Sequence, residues 1–400
     1  MISIEEARRI VLEQAVRLPV ESVPLLESLG LVIAEEIRSP WDIPASDNSA
    51  MDGYAFAHDS LQDNSATVCG FLPAGMVWAD TVPPGQAIKI MTGASMPPGC
   101  DTVVPVEDVL ATTGKIELKQ ETKAGSHVRK RGEDVAAGEL VFSAGTVIRP
   151  QEIGMLASFG KTGVPVYRRP QVAILATGDE LVEPGEERIQ GKIVNSNSVS
   201  IAAQVLEAGG RPILLGIARD ERLHTRSMIQ KGLQADVIIT SGGVSVGDRD
   251  FVKEVIEEMG GELKFWKINM KPGKPLAFAV VNNKPFFALP GNPVAAIVGF
   301  EMFVRPALLA MMGQTRLMRP LVKAVVTEYI SNKWDRPHLV RALVEFRQGT
   351  YHLKTTGDQG SARLSSLTLG NALVLIPAGA AIKPGDVVEA SLLNGFSSNH

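Results

Sequence analysis

The chain has 400 residues, 45% hydrophobic and 21% charged, which allows two to four domains and excludes a disordered or fibrous class. Forty Lys plus Arg stand against 44 Asp plus Glu, a formal net charge of −4, so no global electrostatic hold on nucleic acid is expected. Two cysteines, Cys69 and Cys100, are too few for a disulfide framework, whereas 38 Gly and 25 Pro predict numerous turns.

The N-terminus shows no basic stretch leading into an apolar run, so no secretion signal is read there. Ser3 with Glu6 three places on instead forms a capping box, with Ile2 placed to staple onto Ala7. Ala7, Ile10, Val11, Ala15 and Leu18 then share one helical face. From about Trp41 to Asp134 the texture changes. Short apolar runs at 67–71, 86–91, 102–106 and 115–118 are separated by Pro-Gly and Thr-Gly turns, which predicts an antiparallel β module. A run over 138–148 precedes a helix predicted from Pro150 to Phe159, with proline suited to its first turn.

Between Pro170 and Gly313 strand-like and helix-like segments alternate. Strands are predicted at 172–176, 212–217, 237–240 and 286–289, and helices at 198–207, 222–233, 250–259 and 293–312. That order defines a doubly wound parallel α/β sheet, which binds ligands at the carboxyl ends of its strands. The longest apolar run, Val294 to Phe300, falls short of the ~20 residues that span a bilayer, so a cytoplasmic protein without membrane association is expected. After Pro320 short strands with Gly turns return, predicting a small C-terminal β domain.

Three loops at predicted strand ends carry dense polar groups. The first, Ala176 to Glu180, places Asp179 and Glu180 just beyond a buried strand, where they could bind a ribose, a metal or a substrate proton; a solvated turn explains them equally. The second, Thr240 to Asp250, has three glycines that let backbone N–H groups approach a phosphate, followed by a helix start. Its Asp248 and Asp250 are hard oxygen ligands suited to Mg²⁺. The same loop contains Gly243-x-Ser245-x-Gly247, the pattern of a hydrolase nucleophile elbow, although Ser245 lies several residues beyond the strand. Only His338, His352 and His400 follow it as bases. The third loop, Leu289-Pro290-Gly291-Asn292-Pro293, caps a helix and offers an anion site at its start.

Four lysines, Lys264, Lys267, Lys271 and Lys274, follow within eleven residues. In an extended segment Lys267 and Lys271 would share a face, as an oxyanion clamp or as a solvated edge strand. Outside the α/β region, Asp47 to Tyr54 carries two carboxylates and Arg129 to Asp134 is a basic run ending in acids; each alone reads as a surface loop. No His-Glu-x-x-His occurs, and six scattered His with two Cys argue against a zinc site.

Eight of these segments together resemble the MoeA family of molybdopterin molybdenumtransferases, to which the E domain of gephyrin is similar. They are Asp47-Asn-Ser-Ala-Met-Asp-Gly-Tyr54, Met91-Thr-Gly-Ala94, Arg129-Lys-Arg-Gly-Glu-Asp134, Thr177-Gly-Asp-Glu180, Asn195-Ser-Asn197, Ser241-Gly-Gly-Val-Ser-Val-Gly-Asp248, Lys271-Pro-Gly-Lys274 and Leu289-Pro-Gly-Asn-Pro293. Lys130 and Arg249 are small departures.

The resemblance implies an N-terminal linker and dimerisation domain over 1–47 and 139–169, an inserted β domain over 48–138, a MogA-like molybdopterin-binding α/β domain over 170–318, and a C-terminal β-barrel over 319–400. It implies insertion of molybdate into adenylylated molybdopterin with release of AMP. Asp52, Asp134, Glu180, Lys267 and Lys271 would be catalytic. Substrate would be bound by Thr92, Arg129, Thr177, Asp220, Ser241, Gly242, Gly243, Ser245, Lys274, Pro290, Asn292 and Pro293, with Mg²⁺ on Asp248 and Asp250. A homodimer would share its active site between subunits, and a molybdopterin adenylyltransferase and molybdoenzyme acceptors would be partners. Adenylyltransferase, serine hydrolase and gephyrin-like scaffold are the alternatives.

Overall fold

The computed structural model describes residues 1–187, 189–244 and 251–393. The chain divides into two compact units, one of Met1–Ala34, Gly145–Arg149 and Gly163–His400, the other of Glu35–Ala144 and Pro150–Thr162.

In the second unit, β1 (Gly53–Phe56), β2 (Ser65–Leu72), β3 (Gln86–Ile90), β4 (Thr102–Pro105), β5 (Val109–Thr112) and β6 (Lys115–Leu118) form one sheet in the order β4-β1-β3-β2-β6-β5. The expectation of a wholly antiparallel module is corrected at one place: β2 and β3 run parallel. The long connection over 73–85 makes this possible, because parallel neighbours need a crossover rather than a tight turn. Strand β1 also falls in a segment whose carboxylates read as a loop; its four residues are all buried. The helix over Pro150–Ser158 belongs to this unit too.

The first unit begins with α1 (Ile4–Glu13), where the Ser3 hydroxyl accepts a hydrogen bond from the Glu6 amide at 3.1 Å. This satisfies one of the amides that every helix start leaves free. Ile4, Ala7 and Val11 are buried against the α/β core. That core surrounds a six-stranded sheet of β7 (Gln171–Thr177), β8 (Arg211–Ala218), β9 (Val237–Ser241), β10 (Glu262–Phe265), β11 (Ala277–Val281) and β12 (Lys284–Leu289). The order is β8-β7-β9-β12-β11-β10. Four strands are parallel, while β12-β11-β10 form an antiparallel edge that the periodicity does not reveal.

Every residue of β9 is buried, as expected for a strand covered on both faces. Alternation sorts the side chains into two layers. Val237, Ile239, Phe287 and Leu289 join α1, α2 (Ser196–Glu207) and the helical run over 293–311 on one face. Ile238, Phe286 and Ala288 join α3 (Arg222–Gly232) and α4 (Val252–Glu258) on the other.

The helical run over 293–311 is α-helical at Pro293–Gly299, widens to a π-helix at Phe300–Val304, and is α-helical again at Arg305–Met311. At 19 residues it is longer than its apolar core suggests and meets the length and composition of a membrane span. It is nevertheless 78% buried inside the protein, as a core helix is. Beyond it, β13 (Leu321–Val326), β14 (His338–Arg347), β15 (Thr350–Thr355), β16 (Ala372–Ile376) and β17 (Val387–Leu392) close a five-stranded barrel in the order β13-β15-β14-β16-β17.

A buried ion pair fixes the entry to this barrel. Glu301, only 8% exposed, accepts from Arg319 Nε at 2.7 Å, and Arg319 also reaches Glu207 at 2.8 Å. Arg305 lies 3.7 Å from the same carboxylate. Removing Glu301 would leave two largely buried guanidiniums without their shared counter-charge. The variant Glu301→Ala is expected to lose about 3 kcal/mol of stability in denaturant unfolding, the usual cost of breaking a buried pair from one side.

Candidate active site

The central strands are in register: Ala176 pairs with Ser241, and Ser241 with Leu289. Their three following loops therefore leave the sheet at one level, and a cleft of about 310 Å³ opens between them. Thr177, Glu180, Ser241, Gly242, Asn292 and Pro293, all singled out by sequence, line it together with Asn195, Ser196, Asn197, Gly291 and Ala362.

Asn197 ties the loops together. Its buried side-chain amide donates to Ser241 Oγ at 2.8 Å and to the Gly291 carbonyl at 2.9 Å. Its own Oδ1, like Thr177 Oγ1, is buried with no hydrogen-bond partner among the described residues. Two helices start at this cleft. Asn195 caps α2 by accepting from the Ser198 amide at 3.2 Å, and Asn292-Pro293 opens the 293–311 run. Both helices direct the positive end of their dipole toward the cleft, a natural partner of a phosphate group.

Backbone geometry makes glycine necessary here. Gly242 has φ +96°, and a Cβ on it would stand 2.7 Å from the Thr177 carbonyl oxygen. A Cβ on Gly243 would meet Val252 Cγ2 at 2.6 Å. The loop is packed against its neighbours, leaving its backbone as the surface facing a ligand.

Glu180 folds its carboxylate over Gly178, and its carbonyl accepts from the Ile193 amide at 2.8 Å. Asp220 is held by a reciprocal clasp in which its amide donates to Asp179 Oδ1 at 3.2 Å and Asp179's amide donates to Asp220 Oδ2 at 3.4 Å. Pro290, in the third loop, is buried and does not line the cleft. Ser245, Asp248 and Asp250 lie outside the described residues. Among the described residues no group of three or more His, Cys, Asp or Glu could hold a metal.

Lys264 lies in β10, but the segment from Lys267 to Lys274 is irregular, so the expected shared face of Lys267 and Lys271 has no strand to define it. Lys267 and Lys274 are exposed and do not line the cleft. Lys271 is docked onto the barrel: its amide donates to the Pro337 carbonyl at 2.9 Å, and its carbonyl accepts from the Leu339 amide at 2.7 Å. Around it the barrel places Arg341, which the sequence reading did not single out, and His338, which it named only as a possible hydrolase base. Arg341 is fully buried, donating from Nε to Ser366 Oγ and from an Nη to the Gly360 carbonyl, both at 3.0 Å. Burial lowers its guanidinium to about 10. His338 is 5% exposed, and burial with the nearby charges of Lys271 and Arg341 lowers its imidazole to about 4, so it is neutral at pH 7. Burial, then Arg341 and Arg336, likewise pushes Lys271 below the usual lysine range.

The barrel also reaches the cleft. Ala362 lines it, the Val294 amide donates to the Ser361 carbonyl at 3.2 Å, and Arg341 secures Gly360 just before them. A charged residue inside the apolar run 339–344 was the one sequence signal for Arg341.

The remaining candidates sit in the other unit. Asp52 accepts from both the amide and the hydroxyl of Thr92 at 2.7 Å, which holds its carboxyl below the usual range. Arg129 pairs in register with Asn48, and the Asp134 amide donates to the Ile43 carbonyl.

Three family descriptions match the chain in order. "MoeA N-terminal region (domain I and II)" covers residues 2–160, "Probable molybdopterin binding domain" 173–310, and "MoeA C-terminal region (domain IV)" 323–393. Molybdopterin molybdenumtransferase 2 of Mycobacterium tuberculosis is 35% identical over 403 residues, spanning 98% of this chain and 97% of its own. The Haemophilus influenzae molybdopterin molybdenumtransferase is 37% identical over 385 residues, 94% of each chain. A solved structure of the molybdopterin biosynthesis MoeA protein of Pyrococcus horikoshii superposes with a TM-score of 0.85 at 30% identity, covering 99% of this chain and all of that one. The chain belongs to the MoeA family.

The site's glycine requirement gives a test. Gly242→Ala is expected to lose at least about 2 kcal/mol of stability through strain and the Thr177 contact. A thermal melt of the variant against wild type measures it.

Proposed function

We propose that this protein is a molybdopterin molybdenumtransferase that inserts molybdate into the dithiolene of adenylylated molybdopterin and releases AMP. The observation that carries this reading is the three-loop cleft with two helix N-termini at its rim, on a chain whose full length matches relatives bearing that name. The backbone of Gly242 and Gly243, with Thr177, Ser241, Asn292 and Pro293, would hold pterin and phosphate groups. Lys267, Lys271 and Lys274 would attract molybdate and offset charge on the departing AMP. Glu180 would orient the pterin.

Asp248 and Asp250 supply a donor set of hard carboxylate oxygens that fits Mg²⁺. When bound, the ion would act as a Lewis acid at the phosphoanhydride. We further propose a homodimer in which Asp52, Thr92, Arg129 and Asp134 of one subunit complete the other's site. A cytoplasmic setting, with an adenylyltransferase supplying substrate and molybdoenzymes accepting product, goes with this reading. Since the substrate brings its own sulfurs, a chain with two cysteines can handle dithiolene chemistry.

The test is incubation with adenylylated molybdopterin, Mg²⁺ and molybdate, following AMP. AMP release that requires molybdate is expected, with Lys271→Ala at least about tenfold slower, as for loss of one charge-stabilising contact. No AMP under any condition would overturn the proposal, and consumption of ATP with unmodified pterin would indicate adenylyl transfer instead.

A further inference from the structure

Lys271 is an ammonium on a flexible stem, placed among like charges. Arg341 and Arg336 act on it unfavourably and the Asp358 carboxylate, more weakly, favourably, but Asp358 is paired with Arg363 and Lys271 makes no ion pair among the described residues. What it does touch is aromatic: its Nζ stands 3.8 Å from the centroid of the Trp334 ring. A cation over an indole face is attracted by the ring quadrupole, and Trp is the strongest side chain in this role.

The contact is built into the barrel rather than left to chance. Trp334 lies on the connection leading into β14, and buried Asn332 anchors that connection. The Asn332 side-chain amide donates to the carbonyls of Arg336, Ile376 and Pro377 at 2.9, 3.1 and 2.8 Å, while its Oδ1 accepts from the Trp334 amide at 3.2 Å. The Lys271 backbone is clamped by Pro337 at the end of the same connection and by Leu339 in β14. Both partners of the contact are therefore fixed to one scaffold, while Trp334 remains 52% exposed.

We propose that Trp334 is a positioning residue for oxyanion capture: its indole face holds the Lys271 ammonium in place against the neighbouring arginines without neutralising it. A carboxylate partner would hold the lysine equally well but would compete with an incoming oxyanion for its charge. An aromatic face leaves the remaining N–H donors free for the anion. This inference rests on the reading of Lys271 as the group that attracts molybdate.

The test measures KM for molybdate and kcat, by AMP release, for Trp334→Leu, Trp334→Phe and Lys271→Ala in the full-length protein. Leucine keeps apolar bulk and loses the π face; phenylalanine keeps a face. Trp334→Leu is expected to raise KM for molybdate about fivefold, the worth of a partly exposed cation–π contact, with kcat within about twofold. Trp334→Phe is expected to return KM to within about twofold of wild type. In the Lys271→Ala background Trp334→Leu should add nothing. Equal KM values for the Leu and Phe variants, or a Trp334→Leu effect that persists without Lys271, would overturn the proposal. An unchanged KM in Lys271→Ala alone would instead overturn the role given to Lys271. Thermal melts of each variant separate these outcomes from loss of fold, and if Trp334→Leu does not fold, Trp334→Met takes its place in the same comparison.

Discussion

The constraint on which the site depends is the parallel register of β7, β9 and β12. Parallel strands that end at the same level must send their connections out on the same side, and here those connections are the three polar loops. A shift of one residue in any of the three would exchange its side chains between the two hydrophobic clusters that pack on opposite faces. The register is thus specified by burial, and the cleft is its by-product. Asn197 then converts proximity into fixed geometry, since one amide group joins the loop of Ser241 to that of Gly291.

The barrel belongs to the same arrangement. Among the described residues, backbone hydrogen bonds connect it to loops of the α/β domain at Pro337, Leu339 and Ser361. Its buried Arg341 holds Gly360 in the stretch that reaches Ala362 at the cleft. The cationic groups of this junction, Lys271 and Arg341, both lie below their ordinary pKa ranges, first because burial disfavours their charge. An anion arriving there would restore what burial removed, which is the electrostatic logic of an oxyanion site.

Much of this was legible in the sequence, for identifiable reasons. The Ser3 cap, the four parallel strands and the glycine loop all follow from local chemistry: a hydroxyl before an apolar face, short apolar runs between helical segments, and glycine where a Cβ does not fit. The antiparallel edge was not legible, because β10 is four residues long with two of them charged, and β11 is an unbroken apolar run in which no alternation marks a strand or its direction. Strand β1 hid behind Asp47 and Asp52 in the same way. The parallel pairing of β2 with β3 depends on a crossover whose path no local pattern records. Asn197 was visible as part of a motif, but its bonds to Ser241 and Gly291 are long-range, as are the contacts of Lys271 with Trp334 and His338. Net composition concealed these most of all: a total charge of −4 says nothing about cations gathered on one junction.

The most direct measurement of the central claim, that the three-loop cleft is where the pterin substrate sits, is hydrogen–deuterium exchange with and without adenylylated molybdopterin. Protection on adding it is expected at residues 177–182, 195–199, 241–244 and 290–294 together, since these line or hold one cleft. Protection confined to other segments, with these four unchanged, would contradict it.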